Sequence, residues 1–354
     1  MTLIFKVDPY RPDPYVISQA ASIIKKGGIV AFPTETVYGL GALVFNEQAV
    51  RRVYTVKNRP FDNPLIIHIC SLEMLNLVAE GITEKEVKLI KKFWPGPLTL
   101  ILPRNPRVPR VVSGGLDTVA VRMPAHPVAL ALIREVGEPI AAPSANLAGK
   151  PSPTTAEHVI QDLYGKVDAI LDGGETLYGI ESTIINTMTS PPTLLRPGAY
   201  PVEEIERVLG EKITISDVAR GLGDAPTALA PGTKYKHYAP DTPLILVDPV
   251  SGSTELLATK MISTIREIQD KYSKICVVAC VETASIYRSI KGVHVIEIGS
   301  RNNIFEIAKN LFKTLRALDT LKCDIGVVEG FEDQGLGLAV MNRLRKASSI
   351  RILA

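Results

Sequence analysis

No run of about 18 apolar residues occurs in this chain of 354 residues, which excludes an ordinary membrane-spanning helix. The opening stretch MTLIFKVDPYRPDP has no apolar signal core, so a cytoplasmic protein is expected. Cysteine is sparse: Cys70, Cys276, Cys280 and Cys323 are scattered, and neither they nor the histidines have the spacing of a metal site. Cys276 and Cys280 fall in the apolar run KICVVAC, which predicts buried structural thiols. Charge is nearly balanced at +3, too mild a surplus to demand nucleic acid, though a local basic patch is compatible with it. The standard nucleotide signatures are missing as well. Ser144 stands where a Walker A loop needs its first glycine, and Pro151 follows Lys150 where Ser or Thr is required. Gly39-Leu40-Gly41 and Gly335-Leu336-Gly337 lack the third glycine of a dinucleotide fingerprint. There is no G-x-S-x-G nucleophile elbow. Any nucleotide must be held in another way, and no covalent nucleophile stands out.

What is present is an ordinary globular composition, 46% hydrophobic and 22% charged, on a chain too long for one average core. Two domains are expected, residues 1–215 and 243–354, joined by a linker over 216–242. The first is organised around residues 28–59. Four apolar residues, 29–32, predict a short buried strand that Pro33 stops, and Thr34, Glu35 and Thr36 follow in a polar turn. Gly39 and Gly41 then permit close approach of backbone. Asn46 caps a helix with Ala49, Val50 and Val53 on one face, and Pro60 ends it behind Lys57-Asn58-Arg59. Lys57 and Arg59 read either as a solvated pair at a helix end or as cations aimed at the polar turn.

Further along, a strand over 65–70 contains His68, whose plainest role is that of a satisfied core residue. Thr83 and Glu86 form a capping box, and Trp94-Pro95-Gly96-Pro97 stops the helix that it opens. A glycine-rich loop, 113–118, ends at Thr118 and feeds a strand closed by Arg122, which is either a surface strand-end arginine or a ligand-binding cation. The strand over 139–142 runs into a small, polar loop, Pro143-Ser144-Ala145-Asn146, ahead of a helix starting near Thr154-Thr155. That arrangement suits backbone anion binding, or is an ordinary capped turn. Strands over 167–171 and 181–185 follow, and another ends in Arg196-Pro197-Gly198. A helix over 202–209 closes the domain.

The linker is rich in Gly, Pro, Ala and Thr, yet carries the dense cluster Lys234-Tyr235-Lys236-His237-Tyr238. A plain spacer has no use for such a cluster, so docking onto something is expected. Beyond it, strands and helices alternate in the pattern of a small parallel α/β domain.

Several motifs now meet one family. PTETVYGLG, KNRPxxNPL, the Ser144-Ala145-Asn146 loop, and ESTII followed by LLRPG resemble the YrdC family; PGTKYKHYAP and GLGLAVMNRLRKA resemble its longer, two-domain members. The resemblance covers nearly the whole chain. It implies a twisted mixed α/β sheet domain with a large basic cavity, followed by a Rossmann-like parallel α/β domain. It also implies L-threonylcarbamoyl-AMP synthesis from ATP, L-threonine and bicarbonate, the first step of a tRNA modification. By resemblance, Lys57, Arg59, Ser144 and Asn146 are the signature set. Lys57, Thr118, Ser144, Asn146, Ser152, Arg196 and Tyr235 would bind ATP. Thr34, His68, Arg122, Ala142 and Ser182 would bind threonine, its carboxylate on Arg122 and its amine near the Ala142 carbonyl. Mg²⁺ is expected with ATP, with Glu35 and Glu181 as candidate carboxylates, and tRNA and a downstream threonylcarbamoyl-transfer enzyme are expected partners. The same first domain resembles carbamoyl-adenylating transferases, against which the PGTKYKHYAP linker speaks. A non-catalytic RNA-binding module is a third reading, against which the intact threonine-side residues speak.

Overall fold

The computed structural model describes every residue except 235–236 and 250–251. The chain divides into two compact units. The first comprises Met1–Ala148, Ser152–Ala219 and the described part of Gly223–Tyr235; the second comprises Gly149–Pro151, Arg220–Leu222 and the described part of Lys236–Ala354.

In the first unit the strands are β1 (Leu3–Lys6), β2 (Val30–Phe32), β3 (Gly39–Leu43), β4 (Ile66–His68), β5 (Leu98–Pro103), β6 (Thr118–Arg122), β7 (Ile140–Ala141), β8 (Ala169–Asp172), β9 (Thr183–Asn186), β10 (Thr193–Arg196) and β11 (Thr214–Ile215). They form one mixed sheet in the order β1-β8-β2-β3-β7-β4-β6-β5-β9-β10-β11. The helices are α1 (Pro14–Lys25), α2 (Glu47–Lys57), α3 (Leu72–Val78), α4 (Glu84–Phe93), α5 (Pro127–Val136), α6 (Ala156–Leu163) and α7 (Val202–Leu209), with a short α8 (Asp217–Arg220) after β11. The main apolar layer packs α1 and α5 on β2 and β8, with Ile24, Phe32, Leu132 and Leu171 buried together. Asn46 caps α2 through its side-chain oxygen, which accepts the Ala49 N–H at 3.0 Å. Asn58 ends that helix in the left-handed region, φ 53°. The capping box on α4 forms, with Glu86 accepting from the Thr83 N–H at 2.7 Å.

In the second unit β12 (Leu244–Asp248), β13 (Ile275–Cys280), β14 (Val293–Gly299), β15 (Ile325–Glu329) and β16 (Ile350–Leu353) make a wholly parallel sheet in the order β14-β13-β15-β12-β16. Between them run α9 (Thr254–Ile268), α10 (Ala284–Arg288), α11 (Ile304–Thr320) and α12 (Leu336–Ala347). The expected mixed sheet and separate parallel sheet are both present.

The glycine pair at 39–41 lies within strand β3, antiparallel to β2, and permits the close approach expected of it: a Cβ on Gly41 would stand 2.7 Å from Ile140 Cγ2. Cys276 is not a free thiol: it is joined to Cys323 in a disulfide, while Cys280 is free and buried.

Candidate functional site

The pairing of the first sheet gathers residues distant in sequence into two rows, one at each end of the strands. Phe32, at the end of β2, pairs with Gly39, which in turn bridges to Ser144. His68, at the end of β4, pairs with Arg122 on one side and Ile140 on the other. The Gly96 N–H, just before β5, donates to Met123 O, just after β6. Leu98 opens β5 opposite Thr183, and Arg196 closes β10 opposite Ile184. Ser144 and Gly39 therefore stand at the end where Thr118 opens β6, whereas His68, Arg122, Thr99 and Arg196 share a row at the other end, and the 34–36 turn joins the two because Thr36 and Glu35 reach Arg122.

Arg122 is no surface arginine; it is 3% exposed. Its Nη1 donates to Thr36 Oγ1 at 2.8 Å and its Nε to Gly96 O at 3.3 Å. Its Nη2 stands 2.6 Å from Glu35 Oε1. That ion pair is close but poorly angled, so neither Glu35 oxygen has a hydrogen-bond partner among the described residues. A buried carboxylate left so is costly, and a group able to rearrange against Arg122 has somewhere to go. Thr34 Oγ1 donates to Val37 O at 2.7 Å and fixes the turn. His68 accommodates burial by staying neutral: desolvation, then the charge of Arg122, pushes its pKa down to about 3.

On the other flank Ser182 shares its hydroxyl with Thr99 at 2.8 Å and with Arg196 Nη2 at 3.1 Å. The guanidinium also donates to Ser182 O, by Nη2 at 3.0 Å and Nε at 3.2 Å. Gly198 explains how that loop lies so close: a Cβ there would stand 2.3 Å from the Ser182 carbonyl carbon. Ser152 donates to Glu181 Oε1 at 2.6 Å beside it.

Lys57 and Arg59 are not a solvated pair; they are 1% and 8% exposed. Lys57 Nζ donates to Ser144 O at 2.5 Å and to Asn146 O, and so pins the Ser-Ala-Asn loop. Arg59 turns elsewhere, its Nη2 donating to Asn63 Oδ1 at 2.7 Å and Pro64 O at 2.8 Å, ahead of β4. The two cations thus leave one helix end in different directions. Thr118 opens β6 opposite Pro103, at the strand end away from Arg122. Asn146 is buried, its Nδ2 donating to Leu147 O at 2.8 Å. Tyr235 lies outside the described residues.

Two contributors went unread in the sequence. Thr36 receives Arg122, and Thr99 receives Ser182. Thr99 had a signal: it is the one polar residue in the apolar strand LTLIL, and it is fully buried. The linker also docks, as its composition suggested. Within the first unit Ala230 is buried against Ile66, Ile101, Ala120 and Ile184, Arg196 Nη1 donates to Pro231 O at 3.4 Å, and Lys234 pairs with Asp62 at 2.8 Å. Within the second, Tyr238 stacks on Phe312 with Arg343 over its ring.

Residues 22–198 match the Sua5/YciO/YrdC family model, described as telomere recombination. Residues 200–349 match the model described as threonylcarbamoyl-AMP synthase, C-terminal domain. The threonylcarbamoyl-AMP synthase of Pyrococcus abyssi is 50% identical over 353 residues, covering 100% of this chain and 99% of that one. That of Bacillus subtilis is 46% identical over 340 residues, covering 95% and 94%. The crystal structure of P. abyssi Sua5 complexed with L-threonine superposes with a TM-score of 0.92 at 49% identity, covering all of both chains. The chain therefore belongs, over both of its units, to the threonylcarbamoyl-AMP synthase family.

Proposed function

We propose that this chain condenses L-threonine, bicarbonate and ATP into threonylcarbamoyl-AMP and pyrophosphate, a nucleotidyl transfer in the cytoplasm. The observation that carries this is the buried Arg122, set among Thr34, Thr36, His68 and Ser182 at the strand ends that also hold Arg196. Arg122 takes the threonine carboxylate, displacing Glu35, while the amine lies toward the Ala142 carbonyl. The neutral amine adds to the carbon of bicarbonate with loss of water, giving a carbamate. A carbamate oxygen then attacks the α-phosphorus of ATP, the bond to the β-phosphate breaks, and pyrophosphate leaves with the electron pair. No protein nucleophile is required; the chain supplies alignment and positive charge.

Lys57, Arg59, Thr118, Ser144, Asn146, Ser152, Arg196 and Tyr235 are the ATP contacts in this reading. Lys57, which holds the Ser-Ala-Asn loop, and Arg196, which stands in the row of Arg122, have the strongest support. Among the described residues no three metal-ligating side chains converge. Mg²⁺ would therefore arrive with ATP, held mainly by phosphate oxygens, with Glu181 and Glu35 the adjacent carboxylates. The product is a mixed anhydride, so an enzyme that transfers its threonylcarbamoyl group to tRNA is the partner its chemistry requires. The test is pyrophosphate release with threonine and bicarbonate omitted in turn, and mass analysis of the nucleotide product. Release that needs neither would overturn the assignment; release driven by carbamoyl phosphate would replace it with a carbamoyl adenylation.

A further inference from the structure

Nothing above uses the second unit's own cavity. It has a volume of about 390 Å³ and opens beyond the carboxyl ends of β12, β14 and β15. Its walls include Ser253 and Thr254 at the start of α9, Arg301 and Ile304 around the start of α11, and Phe331 and Gly337 after β15. The position follows from the topology. Helices α9 and α10 bury Leu257 and Tyr287 on the sheet face that carries Ile245, Val277 and Val327. Helix α11 lies on the other face, where Leu318 approaches Gly326 beside Leu244. Helix α12, which follows β15, packs on α11 and shares its face, so the adjacent strands β12 and β15 send their following helices to opposite sides, and the loops separate there. In open parallel sheets this is where a crevice forms and ligands bind.

The lining selects the ligand. Arg301 projects at the cavity with its guanidinium 5.0 Å from the centre of the Phe331 ring. It is held by Glu329 Oε2 at 3.0 Å and Gly330 O at 3.2 Å, and its Nε has no hydrogen-bond partner among the described residues. Glu329 is itself fully buried and fixed by the Tyr287 hydroxyl at 2.6 Å and the Cys280 N–H at 3.0 Å. The guanidinium is therefore pre-oriented. Helix α12 follows its N-cap Gly335. Gly337 lets the loop press against this helix start: a Cβ there would stand 2.2 Å from Glu332 O. A fixed guanidinium and the Ser253 and Thr254 hydroxyls offer several donors from different directions, and suit a tetrahedral phosphate. Leu257, Ile304 and Phe331 leave an apolar wall for a larger body. Glu332 is the carboxylate on the lining, its Oε1 3.2 Å from where a Cβ on Gly252 would stand. It accepts hydroxyl donors and repels further phosphate charge.

We propose that this cavity binds a phosphate-bearing small molecule of the nucleoside monophosphate class, with phosphate toward Arg301 and sugar hydroxyls toward Glu332. The volume sits within the range of small-ligand pockets, roughly 300–1,000 Å³. The test uses the full chain and hydrogen exchange read peptide by peptide, with AMP, adenosine and inorganic phosphate as separate probes. AMP at ten times its dissociation constant is expected to slow opening of the peptides covering 252–257 and 331–340 about tenfold. Adenosine is expected to leave them unchanged, and inorganic phosphate to protect more weakly than AMP. Thr254→Trp, which fills the cavity while leaving Arg301 and Glu329 in place in the sequence, should abolish the AMP effect in these peptides and keep any AMP effect in the first unit. Arg301→Gln, which retains a donor for Glu329, should weaken it. Unchanged exchange with AMP, protection that persists in Thr254→Trp, or equal protection by adenosine overturns the proposal. Phosphate protecting as well as AMP would overturn the nucleotide class.

Discussion

Lys57 is buried and donates to two loop carbonyls. Removing it should disorder the Ser-Ala-Asn loop and remove a cation from the transferring phosphate. Lys57→Ala is expected to lower threonylcarbamoyl-AMP formation by at least ~100-fold, the scale for losing one transition-state stabiliser; near-normal turnover in a folded variant would refute it. Arg122→Ala should act differently. A carboxylate contact exists in ground and transition states alike, so the KM for threonine is expected to rise more than kcat falls. A threonine titration at saturating ATP reads this, and an unchanged KM would remove Arg122 from the pocket. His68 makes a prediction about pH. Its folded pKa of about 3 lies below the ordinary 6.5. The unfolded chain therefore binds the extra proton in between, and the stability from neutral His68 is full above about pH 6.5 and is lost as pH falls toward 3. The slope from this group approaches about 1.4 kcal/mol per pH unit. Urea midpoints across pH 4 to 7 (about the accessible window) should be flatter for His68→Gln, and equal slopes would contradict the assignment. At this scale the sequence revealed that Lys57, Arg122 and Arg196 stand at element ends. It did not reveal that Glu35 lies on Arg122, because that contact depends on how a turn after β2 folds over the end of β6.

Elements were legible where local signals were strong. The capping box at Thr83–Glu86 and the helix Val202–Leu209 stand where their patterns put them. The short α10 and the edge strand β16 have too few residues for a clear period and went unread. Strand order was not legible either: β1 pairs with β8 through Leu3 and Ala169, and nothing local to either strand encodes that partner. The disulfide is of the same kind. Cys276 lies at the start of β13 and Cys323 stands just before Asp324 and β15, strands that are neighbours in the sheet although the cysteines are 47 residues apart. Closing a loop of that length stabilises by about 4 kcal/mol on chain-entropy grounds. Reductant is expected to lower the stability of the second unit by an amount of that order. The double variant Cys276→Ser with Cys323→Ser should start lower and show no response to reductant. Identical unfolding curves for the native chain with and without reductant would show that the bridge contributes nothing.

For the whole molecule the question is why a stretch rich in glycine, alanine and proline also carries Tyr235, His237 and Tyr238. A carbamate loses carbon dioxide in water, and a mixed anhydride hydrolyses, so synthesis needs a covered site. Residues 223–234 have the means to cover it: Ala230 is fully buried in an apolar cluster of the first unit, and Pro231 O takes a donor from Arg196, itself bound to Ser182. This segment would act as a lid that closes over ATP, the gating role common to such loops. Ala230→Asp places a carboxylate in that cluster without a partner, which is costly and should release the segment. The expected phenotype is uncoupling: the variant consumes ATP but yields less threonylcarbamoyl-AMP per pyrophosphate released, because intermediates escape to water. A chain ending at Ile215, which lacks the segment altogether, should show the same defect more strongly. In the native protein, limited proteolysis within 216–242 should slow when ATP and threonine are both present. Full coupling in Ala230→Asp and in the shortened chain, together with proteolysis indifferent to ligands, would mean that the segment joins the two units and covers nothing.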